Sequence, residues 1–282
     1  MTELLRVIES PRECSYLPAE RASLEYRFVA SLDARAYGDL LSRGYRRFGH
    51  QLYRPACRSC SRCVSVRVLA GEFSPSRSQR RVLRQNRHIR ALRRPVSISA
   101  AHLALFERYH RYMAAHRGWP SESPSAESYE QSFVLGGGGC AYEWLFLDGD
   151  KLAGVSLMDE TSEAISLVYS FHDPDWRPAG AGTFAILTQL AYARRRKLPY
   201  AYLGYWVDGN SSMSYKANFR PREVLTAYPA DEEVPRWERA SGSVLRPRRS
   251  ILERKFFSGR PGRPRTRALT GQSPAGGGEA AR

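Results

Sequence analysis

At 282 residues, 42% of them hydrophobic and 11% aromatic, the chain can fill a core in one large domain or two modest ones, which excludes a disordered polymer. There is no run of eighteen apolar residues, and the first six residues carry an acid, so no membrane span or signal peptide is expected and the cytoplasm is the expected compartment. The net charge of +16 points to a polyanionic partner, although residues 240–282 hold ten Lys/Arg against only Glu253 and Glu279, leaving a moderately basic body.

Taken in chain order, the sequence predicts an extended start around Cys14–Phe28, a short helix near Ala34–Arg43, and strands at Gly44–Tyr53 and Val64–Leu69. A helix over 74–95 is expected to open at Ser74-Pro75, where a first-turn proline gives up no hydrogen bond. Leu105, Tyr109, Tyr112 and His116 recur at helical spacing over 101–117, and Gly118-Trp119-Pro120 ends that helix. A polar loop runs on to Tyr129, and Gly136–Gly139 reads as a flexible loop. Tyr142–Leu147, Leu152–Met158 and Ala164–Phe171 are short apolar strands, the first two joined by an Asp148-Gly149-Asp150 turn. A helix at 181–196 and a strand at Tyr200–Trp206 follow. A meander followed by strand–helix–strand predicts an α/β (α+β) fold, an N-acetyltransferase-like mixed sheet with a small cysteine-containing N-terminal module. The expected divisions are 1–72 for that module, 73–238 for the transferase-like domain, and 239–282 for a basic, disordered tail.

Three constellations carry chemistry. Arg77, Arg80, Arg81, Arg84 and Arg87 share one side of the expected helix, with no acid between residues 73 and 106, as a phosphate-binding track requires. A solvated charged face is the alternative. Cys57, Cys60 and Cys63 have the spacing that wraps thiolates around an iron–sulfur cluster, with Cys14 as a possible fourth ligand. Zinc suits the same four, and reduced, unliganded thiols are the other reading. Cys140 is read as a small buried residue, and the histidines, His116 and His172 among them, as packing or hydrogen-bonding groups. Arg177-x-x-Gly180-x-Gly182 before a helix matches a pyrophosphate loop of acetyl-CoA-dependent N-acetyltransferases.

Several motifs occur in order: Cys14-Ser15-Tyr16-Leu17-Pro18, Gly44-Tyr45-Arg46-Arg47-x-Gly49, Tyr53-Arg54-Pro55-x-Cys57, Ser76 to Arg81, Tyr169-x-Phe171-x-Asp173-Pro174, Tyr202-Leu203-Gly204-Tyr205-Trp206, Met213-x-Tyr215-Lys216 and Phe219-x-Pro221. Over roughly residues 10–237 the chain resembles the arginyl/leucyl-tRNA–protein transferase family, and most of all its bacterial aspartate/glutamate leucyltransferases. The resemblance implies transfer of leucine from leucyl-tRNA to the N-terminal amine of proteins starting with Asp or Glu, with arginyl-tRNA as the alternative donor. Acetyl-CoA transfer, or RNA binding without catalysis, are the readings outside the family. Some members bind an iron–sulfur cluster through N-terminal cysteines, although Leu17 stands where the eukaryotic pattern has one of them. An aminoacyl ester is already activated and the acceptor amine is the nucleophile, so no catalytic triad and no cofactor is required. The matching motifs offer Tyr169, Tyr202 and Tyr205 as oxyanion donors and Asp173 to hold or deprotonate the amine. Lys216 would pair with a terminal phosphate or with the acceptor's acid. The implied partners are charged tRNA and acidic N-termini, not DNA or membranes.

Overall fold

The computed structural model describes residues 1–119 and 125–242; the expected tail beyond residue 242 and Pro120 lie outside the described residues. The N-terminal segment contains β1 (Thr2–Ile8), β2 (Arg12–Glu13), β3 (Arg21–Ala22), β4 (Leu24–Ser31), α1 (Ala34–Ser42), β5 (Arg46–Phe48), β6 (Gln51–Pro55) and β7 (Cys63–Leu69). Next come α2 (Arg77–Gln85), β8 (Arg90–Pro95), α3 (Ala100–Arg117) and α4 (Ala126–Tyr129). The remainder is β9 (Ala141–Asp148), β10 (Lys151–Glu160), β11 (Ala164–His172), α5 (Ala181–Arg195), β12 (Tyr200–Val207), β13 (Arg222–Leu225) and β14 (Trp237–Arg239).

The expected α/β class with a mixed sheet is what forms. Eight strands run in the order β14-β13-β7-β12-β11-β10-β9-β8, antiparallel except for the β11–β12 pair. A second sheet has the order β1-β4-β6-β5. Strand alternation gives the large sheet two apolar faces. Phe146, Ile165 and Leu203 pack with α5, while Leu145, Val155 and Phe171 pack with α3. The helices therefore cover both sides of it.

Three expectations need correction. Gly44–Tyr53 is a hairpin, β5 and β6, rather than one strand, because the chain reverses at Gly49, whose φ is +55°. A Cβ at Gly49 would lie 2.0 Å from the Gln131 carbonyl oxygen, and one at Gly136 2.3 Å from the Gly49 backbone. The glycine run is thus a close-packed turn and not an open loop. The helix expected over 74–95 is only α2; Ser76 caps it in a reciprocal pair with Gln79, and the buried Asn86 ends it. Arg90–Pro95 instead pairs along the free edge of β9, which a helix would leave bare.

The two sheets are fastened by one buried ion pair. Arg47 on β5 grips Asp159 on β10 with two hydrogen bonds, Nε at 3.0 Å and Nη2 at 2.6 Å, and Tyr37 donates to the same carboxylate at 2.8 Å. Both charged side chains are about 2% exposed or less. The remaining guanidinium nitrogen donates to the carbonyls of Gly49 and Leu135. Removing the acid would strand a buried cation, so Asp159→Ala is expected to cost about 3–5 kcal/mol in urea unfolding. A loss below about 1 kcal/mol would show that the pair does not fasten the sheets.

Candidate active site

The site begins where a ladder stops. Strands β11 and β12 pair in parallel only at Ala164–Ser166 with Tyr200–Tyr202, yet both continue for several residues. Beyond the last pair they diverge and open a cavity of about 1100 Å³. Leu167, Tyr169 and His172 line one side, Leu203, Gly204 and Tyr205 the other. Arg46, Phe48 and Tyr53 of the β5–β6 hairpin, Tyr109 and Arg117 of α3, the start of α5, and Lys216 complete the wall.

Unpaired backbone carbonyls in such a split need donors. The Arg46 Nη2 donates to the Leu167 carbonyl on the β11 side. The Lys216 Nζ donates to the Tyr205 carbonyl on the β12 side, at 2.6 Å. The two cations meet around Gly204, whose φ is +82° at a bulge in β12. A Cβ there would lie 3.4 Å from the Lys216 Nζ and 3.6 Å from the Arg46 Nε. Burial, and then the neighbouring Arg46, bring the Lys216 ammonium down to about 7, so near neutral pH it is shared between charged and neutral forms. His172 is brought down to about 4 by burial and by Arg177, and stays neutral.

The remaining expected site residues separate. Tyr169 lines the cavity, and its hydroxyl sits 3.0 Å from the Nε2 of His110. The His110 Nδ1 lies 2.8 Å from the Phe106 carbonyl, an acceptor, so Nδ1 carries the proton and Nε2 accepts from the tyrosine. The Tyr205 ring also lines the cavity, but its hydroxyl is directed at the Gly44 and Tyr53 carbonyls. Tyr202 lies off the cavity wall, although the bulge at Gly204 leaves it on the same face of β12 as Tyr205, opposite Arg67 where Tyr205 is opposite Ser65. It packs on Trp237, and its hydroxyl meets Arg67. Asp173 lies beyond the end of β11, off the cavity wall, gripped by Lys151 at 2.6 Å and Arg108 at 3.0 Å. Burial raises its carboxyl, but those cations and the Asp175 amide outweigh this and hold it below the usual range. It caps the short turn Pro174–Ala179.

On α2, Arg77, Arg80, Arg81 and Arg84 are exposed, and Arg87 is exposed just past the helix end. The opposite side, with Val82 and Leu83, packs onto the core that α5 shares. Cys14, Cys60 and Cys63 gather with Leu17, Tyr205 and Val207, and all four N-terminal thiols are reduced. Burial and then the nearby Cys57, Cys14 and Cys60 push the Cys63 thiol up to about 12. Among the described residues, no three Cys, His, Asp or Glu side chains are placed to hold a metal ion. Cys140 is buried, as expected.

Arg46, His110 and Gln189 are site residues that sequence reasoning passes over. Gln189 is buried on α5 and lines the cavity, with its Oε1 unpartnered while its Nε2 donates to the Ala185 carbonyl. Only Arg46 carried a signal, its place in the Gly44-Tyr45-Arg46-Arg47 motif.

Residues 12–81 match the model of the arginine-tRNA-protein transferase N terminus and residues 101–226 that of its C terminus. The chain is 37% identical over 213 residues to an aspartate/glutamate leucyltransferase of Campylobacter jejuni, covering 76% of this chain and 89% of that one. To the enzyme of that description from Helicobacter hepaticus it is 34% identical over 239 residues, covering 85% and 99%. Among solved structures, FemX overlaps it with a TM-score of 0.40 at 11% identity, covering 72% and 79%. Two matched family models and relatives aligned over most of both chains place the protein in the arginyl/leucyl-tRNA–protein transferase family, and it is an aminoacyltransferase.

Proposed function

We propose that the enzyme moves leucine from leucyl-tRNA to the N-terminal amine of proteins that begin with Asp or Glu, creating a degradation signal in the cytoplasm. The observation that carries this reading is the cavity itself. Its wall includes Arg46, Arg117, Arg177 and Lys216, and no Asp or Glu among the described residues lining it. That charge suits an RNA terminus and an acidic acceptor, and relatives that share most of the chain are named for aspartate and glutamate. The absence of a carboxylate has a second effect: nothing on that wall holds the acceptor amine as an ammonium. Among the described residues, no helix is long and apolar enough to cross a membrane.

The decisive assay supplies tRNA charged with labelled leucine or arginine, with acetyl-CoA as a third donor, to peptides starting with Asp, Glu, Arg or Ala. Label is expected from leucyl-tRNA on the Asp and Glu peptides. Label from arginine alone would replace the donor, and label from acetyl-CoA alone would replace the reading.

The chemistry is an exchange of acyl bonds. The amine nitrogen attacks the ester carbonyl carbon, the C–N bond forms, and the C–O bond to the terminal ribose breaks. Lys216 is the proton carrier of this scheme: its neutral form accepts the amine proton and returns it to the leaving ribose oxygen. Its hydrogen bond to Tyr205 O holds it in place, and His172 is too weak a base for the task. The Tyr169 and Tyr205 hydroxyls are already committed, so these rings shape the cavity. Tyr202 and Asp173 support it from outside. The step uses no cofactor, and an iron–sulfur cluster or zinc on the four thiols would take no part in it.

Two titrations then govern the rate, Lys216 near 7 and the acceptor amine near 7.7–8.0. Below both, log kcat/KM is expected to rise with pH at a slope of about two, because both groups must lose a proton. Lys216→Arg, which stays protonated, is expected to lower the rate by about 100-fold or more and leave a slope of one. A second-order slope surviving in that variant would remove Lys216 from proton transfer.

The exposed arginines of α2 and Arg87 are the tRNA track in this reading. Replacing Arg77, Arg80 and Arg84 by Ala should reduce the salt dependence of leucyl-tRNA binding by about 0.7–0.9 log units per lost phosphate contact. A slope identical to that of the unaltered protein would leave the helix as a solvated face.

A further inference from the structure

Arg46 is an expensive residue to bury. It is 6% exposed, and its Nη1 has no hydrogen-bond partner while Nη2 is spent on the Leu167 carbonyl. The other buried arginines of this region are compensated: Arg47 by Asp159, Arg54 by Glu25, Arg27 by Glu3 and Asp231. Arg222 also lacks an acid, but it donates to the Ala217 and Gly242 carbonyls and does not line the cavity. Arg46 does line it, and no acid on the described wall faces it. A buried cation with an idle donor beside a second cation, Lys216, raises the energy of the empty site and lowers that of one holding an anion.

Depth says which anion. Arg117 is exposed and Arg177 half-buried, within reach of a bulky phosphate on an RNA strand. Arg46 sits at the split between the strands, flanked by Phe48 and Tyr53, where a slender side chain fits better. It shares the Gly204 gap with Lys216. One N-terminal Asp or Glu residue spans both, its carboxylate on the guanidinium and its α-amine toward Lys216. On these grounds, and resting on the leucyl-transfer reading, we infer that Arg46 is the receptor for the acidic side chain of the acceptor and sets its specificity. Charge-assisted hydrogen bonds of this kind discriminate strongly against a neutral isostere.

The test compares kcat/KM for leucyl transfer to peptides that differ only in Asp against Asn, or Glu against Gln, at the first position. The unaltered enzyme is expected to favour the acid, and Arg46→Met to shrink that ratio by about 10–100-fold, chiefly through slower transfer to the acidic peptide. Arg46→Lys, which keeps the charge without the planar fork, should fall between them. The ratio is independent of how much of a preparation is active, so partial misfolding does not blur it; if Arg46→Met yields no folded protein, the Lys variant decides. An unchanged ratio, including an equal loss on both peptides, overturns the receptor role. Failure of the unaltered enzyme to use any peptide overturns the transfer reading and this inference with it.

Discussion

The constraint on which the site depends is a parallel ladder only three residue pairs long. β11 and β12 part after Ser166 and Tyr202. Parting buys a cavity, but it leaves backbone carbonyls facing a partly buried gap. Water or side chains must satisfy them, and here two cations do so, one on each strand. The residues that repair the broken sheet are therefore the ones best placed to meet a ligand. Structural need and the proposed chemical use fall on the same two side chains.

The split would be of little use if the hairpin carrying Arg46 were free to drift. Alternation along β5 gives its two arginines opposite duties. Arg46 and Phe48 face the cavity, whereas Arg47 turns the other way into a carboxylate held at the dry junction with β10. A bidentate grip fixes distance and angle together, and Tyr37 of α1 joins it from the side. The N-terminal segment thus contributes a side chain to the cavity through a joint that is itself buried. Segments distant in the chain complete one site, and β7, from the same N-terminal half, lies inside the large sheet between β12 and β13.

Much of the fold was legible because amphipathic periodicity is local. α1, α3, α5 and the strands β9 to β12 fall close to where apolar spacing puts them. The β5–β6 hairpin was hidden, since Arg-Arg-Phe-Gly-His-Gln shows no break between strands except one glycine. Arg90–Pro95 resembled helix because its backbone partner is an edge supplied about fifty residues later. The site was only partly legible for a related reason. Lys216 stands in a conspicuous motif, but Arg46 and Arg47 are adjacent and identical in type. What separates them is Asp159, 112 positions on, which claims one and leaves the other bare. Asp173 looked available in the sequence because the Lys151 and Arg108 that occupy it are also distant. The odd spacing of Tyr202 and Tyr205 suggests opposite faces, but the bulge at Gly204 puts both on one face, and alternation alone does not reveal it.

The tight turn at Gly49 has a consequence for how this chain can vary. It sets the register of β5 against β6, pairing Phe48 with Gln51 and Arg46 with Tyr53. Slipping that register by a single residue would exchange the inward and outward faces of the hairpin. The guanidinium now clamped in the dry joint would swing into the gap, and its neighbour would meet Asp159 instead. Such a protein could retain its secondary structure and composition while its recognition chemistry was turned inside out. Length at this one corner is therefore guarded by what the two arginines do.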